Sequence, residues 1–203
     1  MSEDGRSRVA LCPVTPELAD RLVDIAGLDL ADHGVAREGL RKLGWQTLRD
    51  ALEDPVYETA PDIPDCDLLS PLGHFTYLDG HVAMPFSYLY WTGGELLPDD
   101  YWGALPGWSS DASAWREEFD AHAEAAVQLL TKRLGPAQYD IRQPKHHARH
   151  VTWRLGSNVL VISQMLEPIS YYQFEHVEVF IGPRTGEGGH FPGGPALRTL
   201  VTS

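Results

Sequence analysis

Three histidines stand within five residues, at His146, His147 and His150. Imidazole nitrogens are zinc ligands, so this cluster is the first candidate for metal chemistry. On a strand, His146 and His150 would share a face and His147 would oppose them; on a helix, the outer two would lie one turn apart. Arg142, Lys145, Arg149 and Arg154 surround the cluster, and no cysteine or carboxylate sits at ligand spacing. Positive charge opposes a bound cation, so the expectation is a basic, partly solvated strand edge with no metal and no cofactor.

A second candidate is His176 with Glu178. Two residues apart on a strand, they share a face, and a histidine beside a carboxylate can move protons. Tyr172, Phe174 and Phe180 would share that face, so a mixed surface patch fits the pattern as well. Nucleophile patterns are absent: there is no GxSxG, and neither Cys12 nor Cys66 has a histidine nearby in sequence. Gly186 to Gly189 and Gly193-Gly194 are glycine-rich, but neither run joins a strand to a helix with the Lys-Ser/Thr that phosphate binding needs.

Charge is more informative than any of these. From Asp50 to Asp111 the chain has no lysine or arginine, while twelve acids fall there. The whole chain carries 29 acidic against 16 basic residues, a net charge of −13. Such a field attracts basic partners and repels nucleic acid and anionic lipid. The same segment contains Tyr88, Tyr90, Trp91, Tyr101, Trp102 and Trp108. Aromatics with polar handles beside carboxylates suit a protein interface, and they equally suit a second hydrophobic cluster under a long loop. Glu95, Asp99, Asp100, Tyr101 and Trp102 are the residues expected to meet a basic protein partner.

The elements that must position these groups are legible in outline. Residues 1–12 read as a disordered lead and 184–203 as a flexible Gly/Pro-rich tail, leaving 13–183 as one domain. Thr15-Pro16-Glu17 is a helix start, followed by Leu18, Leu22, Ile25 and Ala26 at helical spacing. A second helix carries Val35, Leu40 and Leu43. Residues 54–73 read as a loop; Asp79-Gly80 then marks a hairpin, with Pro85 placing its return strand at an edge or a bulge. Trp115, Phe119, Ala123, Ala126, Leu130 and Leu134 give the clearest helix, with Asp111 or Ser113 as its cap and Gly135-Pro136 as its end. Val151, Trp153 and Leu155 alternate before a Gly156-Ser157-Asn158 turn, Val159 to Ile162 follow, and Tyr171 to Ile181 make a further strand. The predicted class is α+β, with helices on a largely antiparallel sheet.

Two pairs of segments resemble each other: residues 40–44 and 130–135, both helix ends closed by Leu-Gly, and residues 74–80 and 150–156, both hairpin openings. They are compatible with two similar helix-plus-meander halves, 13–91 and 111–183, and equally with common punctuation. Two cysteines make no disulfide framework, the N-terminal residues have no apolar run of signal length, and no run is long enough to span a membrane. The expectation is a reduced, cytoplasmic protein.

REGLRKLGWQ (37–46), AWREEFDAHAEAAVQLLTKRLGP (114–136), HVTWRLGSNVLVISQ (150–164) and FEHVEVFIGP (174–183) together resemble a group of small, acidic actinobacterial proteins. Some members of that group are similar to immunity proteins of polymorphic toxin systems. The likeness covers about half of the chain and lies in its elements, with no catalytic signature. It implies a cytoplasmic, non-enzymatic protein that binds and neutralises a toxin, and it carries over no site residues. A basic nuclease toxin fits the charge; a small intracellular enzyme using His176 and Glu178, or a regulatory scaffold, is the alternative.

Overall fold

The computed structural model describes residues 7–43, 46–47, 67–70, 73–78, 80–91, 107–143, 147–166, 174–184, 191–192 and 198–199. Its elements run β1 (Ser7–Leu11), α1 (Pro16–Ala26), α2 (His33–Lys42), β2 (Gln46–Thr47), β3 (Asp67–Ser70), β4 (Gly73–Leu78) and β5 (His81–Trp91). They continue with β6 (Ser109–Asp111), α3 (Arg116–Leu134), β7 (Tyr139–Gln143), β8 (Ala148–Leu155), β9 (Asn158–Leu166) and β10 (Phe174–Pro183). The fold is α+β: helices lie against an antiparallel sheet of ten strands among the described residues.

The main path of the sheet is β2-β3-β4-β5-β10-β9-β8-β7. One meander, β2 to β5, meets a second, β7 to β10, through the long antiparallel pair of β5 and β10. Along its other edge β5 pairs with β4 near His81 to Ala83 and with β1 from Ser87 onward, and β6 pairs with β1. Ser7–Leu11 thus corrects the expectation of a disordered lead up to residue 12: Val9 and Ala10 are fully buried in a sheet strand. Strand β3 likewise falls inside the segment read as a loop.

The two resembling segment pairs have different standing in this topology. Residues 40–44 and 130–135 fall at the ends of α2 and α3, each just before the first strand of a meander. Residues 74–80 and 150–156 fall on β4 and β8, the third strand of one meander and the second of the other. That match is displaced by one strand, so it reflects a shared way of opening a hairpin. Both hairpins turn through a glycine with positive φ, Gly80 at 77° and Gly156 at 61°, a conformation that disfavours a Cβ.

Helix α1 begins as its sequence dictates. The Thr15 hydroxyl accepts from Leu18 N at 3.1 Å, and Pro16 takes the first position, where no N–H is needed. Leu18, Ala19, Leu22, Ile25 and Ala26 form its buried stripe. In α2 the carboxylate of Asp32 caps Gly34 N and Val35 N. Its buried positions are Ala36 and Leu40, whereas Val35 is exposed, one position off the expected face. Helix α3 buries Phe119, Ala123, Ala126, Val127 and Leu130. Trp115, first in the helical spacing, stands just before the helix and is 58% exposed; its backbone N–H donates to Glu118 at 2.8 Å. Asp111 instead holds the preceding turn, accepting from the N–H and hydroxyl of Ser113.

One core forms between the helices and one sheet face, from Val177, Val179 and Ile181 of β10, Leu160 and Ile162 of β9, Val151 and Trp153 of β8, and Val82, Met84 and Phe86 of β5. Each such side chain, fully buried, contributes about 1.5–3 kcal/mol of transfer free energy. Trp153 is 1% exposed, and its indole N–H donates to the carbonyl of Gly135 at 3.0 Å, tying the end of α3 to β8. Asn158 does the same for α1: its amide donates to the carbonyls of Ala26 and Leu28 at 2.9 and 2.7 Å. Pro85 lies in a central strand, beside the register shift between Val177 and Glu178 that leaves Phe86 as the extra residue. The bulge removes the need for the ladder bond a proline cannot make.

Candidate functional site

Strands β9 and β10 are buried on both faces. On the face turned away from the helices, Val159, Val161, Phe180 and Phe191 form one apolar cluster. Ala10, Cys12, Tyr90 and Trp108 form another, with Tyr88 and Phe174 against it. A polar group lies between the two. Register places Glu178 opposite Ser163 and Ser163 opposite His150, so the three make a row across β10, β9 and β8. His176 is the next residue along β10 on the same face, and its ring centroid is 6.0 Å from that of Tyr88.

The geometry of this row is specific. His150 Nδ1 and Ser163 Oγ are 2.9 Å apart and fully enclosed. His176 Nε2 lies 3.7 Å from Glu178 Oε2, with both side chains under a tenth exposed. Glu178 Oε1, His176 Nδ1 and Thr152 Oγ1 are buried with no hydrogen-bond partner among the described residues. Burial holds the His150 imidazole below its ordinary range, against the opposing pull of the Glu178 carboxylate, so it is the neutral ring that this site favours. The structure therefore brings together the two residues that spacing had paired, His176 and Glu178. It corrects their setting: this is an enclosed polar row, not a surface patch. Ser163 and His150 join them across strands, a partnership for which the sequence has no local signal. A row of this kind can share and relay protons; Ser163, with no exposed surface, is closed to attack on a substrate.

The histidine cluster does not converge. His147 is exposed with φ at 49°, His150 is buried in the row, and His146 lies outside the described residues. Among the described residues no group of three metal-ligating side chains occurs.

The basic stretch from Arg142 to Arg154 is not an open positive face. Arg149 makes a two-bonded contact with Asp140, at 2.9 Å for each bond, and a third bond to Glu124 at 2.7 Å. These bonds hold the carboxyls of Asp140 and Glu124 below the usual range. Arg154 stands over the ring of Tyr139. Elsewhere Arg116 pairs with Glu175, Arg133 with Asp20, and Arg41 with Glu38. An open groove of about 660 Å³ runs between α3 and the β7–β8 edge, lined by Arg116, Asp120, Glu124, Arg142 and Arg149 among others. Its lining mixes both signs.

The expected partner residues, Glu95, Asp99, Asp100, Tyr101 and Trp102, lie outside the described residues. Of the aromatics in the acidic segment, Tyr90 and Trp108 are buried in the cluster with Ala10 and Cys12, so for these two the second-cluster reading holds over the interface reading. Among the described residues no helix is long and apolar enough to cross a membrane. No family model, curated protein or solved structure matches the chain.

Proposed function

We propose that this chain is a non-enzymatic binding protein for a basic protein partner, most concretely a cytoplasmic immunity protein that occludes a basic toxin, with a nuclease as the fitting class. The observation that carries this reading is where the charge resides. Removing the twelve acids of residues 50–111 from the total of 29 leaves 17, against 16 basic residues in the rest of the chain. Nearly all of the net −13 thus belongs to one segment. Four arginines, Arg116, Arg133, Arg149 and Arg41, are engaged instead with Glu175, Asp20, Asp140, Glu124 and Glu38. An acid excess with no counter-charge of its own steers a cationic partner and pairs with it, while Tyr101 and Trp102 supply aromatic anchors beside Glu95, Asp99 and Asp100.

Capture from extracts of the native host tests this. The expected result is stoichiometric retention of one basic protein, eluted by salt and weakened by Asp99→Lys with Asp100→Lys. Retention of no basic protein, or binding indifferent to both salt and the two substitutions, overturns it. A second reading, acid–base catalysis in a small enzyme, draws on the 3.7 Å approach of His176 to Glu178. It requires a turnover that His176→Ala abolishes in a folded protein.

A further inference from the structure

We propose that the chain forms a twofold homodimer in which β7 pairs antiparallel with the β7 of a second copy, centred on Ile141. β7 ends the sheet path, and among the described residues β8 is its one strand partner. A strand in that position presents a row of backbone donors and acceptors along its outer edge. The opposite end of the path, β2, is only two residues long and offers no comparable edge.

The sequence of β7, Tyr-Asp-Ile-Arg-Gln, is complementary to itself in one register. Centring on Ile141 sets Asp140 across from Arg142 of the partner subunit, and Arg142 across from Asp140 of the partner subunit. Opposite charges directly across a ladder stabilise it, and like charges destabilise it. Centring on Asp140 would oppose two aspartates, centring on Arg142 would oppose two arginines, and a one-residue slip would turn each strand's side chains to the wrong face. Arg142 has capacity for the new contact. Its side chain is 62% exposed, and its nearest carboxylate, Asp140, is 3.7 Å away and already held by Arg149.

Charge distribution favours this end of the sheet for self-association. Residues 112–203 contain nine basic and nine acidic residues, so the half of the chain that includes β7 is neutral. The acidic segment includes β3 to β6. β7 lies four strand spacings from β5, roughly 19 Å at about 4.8 Å per strand. Edge pairing would extend the sheet continuously, with both sets of helices on one side. Pro136 and Pro144 confine the pairing strand to a few residues, so the dimer is weak and fills only at high concentration.

Sedimentation velocity on the full chain, over a concentration series reaching the millimolar range, tests the proposal. The wild type is expected to shift from monomer to dimer. Arg142→Asp, which makes both charged positions acidic, and Asp140→Lys, which makes both basic, should each weaken self-association by about tenfold or more. Circular dichroism checks that each variant remains folded, since Arg149 keeps Glu124 when Asp140 is replaced. Mixing the two variants should restore association as a heterodimer, which no general loss of stability can mimic. A wild type that stays monomeric throughout, a dimer indifferent to either substitution, or a mixture that fails to associate overturns the proposal.

Discussion

Replacing Arg116 with alanine should be among the most destabilising single changes at the edge of this core. Arg116 opens α3 and forms a two-bonded ion pair with Glu175 on β10. The Glu175 side chain is only 3% exposed, while that of Arg116 is 31% exposed. The pair as a whole adds little over an apolar substitute, because desolvation offsets most of the attraction. Removing one partner is different, since it strips a buried carboxylate of its counter-charge and its two guanidinium donors. Such losses cost about 3–5 kcal/mol, and the partial exposure of Arg116, which lets water reach the vacated space, places the expectation near about 3. In a chain of this length that corresponds to a fall in melting temperature of roughly 6–12 °C. Urea unfolding of Arg116→Ala, Glu175→Leu and the double variant Arg116→Leu with Glu175→Leu measures it. The double variant should recover most of the stability lost in Arg116→Ala, with an unchanged dependence on urea. If Arg116→Ala costs less than about 1 kcal/mol, the range of an exposed pair, then Glu175 is not held in a dry setting and the reasoning fails.

Asn158→Ala should cost about 1–3 kcal/mol by thermal or urea unfolding, because it strips the carbonyls of Ala26 and Leu28 of a shared donor at the end of α1. Stability should fall as pH drops below about 6.5. The folded state keeps His150 neutral by burial while the unfolded chain takes up the proton, so the contribution is whole above that pH and is lost progressively beneath it. His122, lowered by burial in the same sense, adds to the slope, and His150→Gln should flatten it when unfolding is followed from pH 7.5 to pH 5.5. The buried Cys12 thiol, raised to about 11, should resist alkylation at pH 8 in a Cys66→Ser background, since about a thousandth is thiolate, and should react fully once the chain unfolds. Arg149→Lys should loosen the α3–β7–β8 corner, because an ammonium cannot keep the paired bonds to Asp140 together with the bond to Glu124.

Sequence alone determined the parts of this protein that depend on local physics. Thr15 and Pro16 start α1 where their side-chain chemistry requires, the apolar spacing from Phe119 to Leu130 makes α3 amphipathic, and Gly80 and Gly156 sit where tight hairpins need positive φ. The α+β class and the concentration of negative charge between Asp50 and Asp111 follow from the same kind of evidence. Errors arose where partners are remote. Ser7–Leu11 became a strand because β5 offers its edge some eighty residues later, and Val35 yielded the buried face to Ala36. Trp115 fell outside the core because α3 begins after it. The candidate site divides the same way. The His176–Glu178 pair was visible as a two-residue spacing, whereas Ser163 and His150 joined it only through strand register, and Arg149 lost its free charge to carboxylates on α3 and β7. Periodicity and caps act over a few residues and can be read along the chain. Which strands become neighbours, and hence which charges cancel and which polar groups are enclosed, is set by the shared core, and only the tertiary structure decides it.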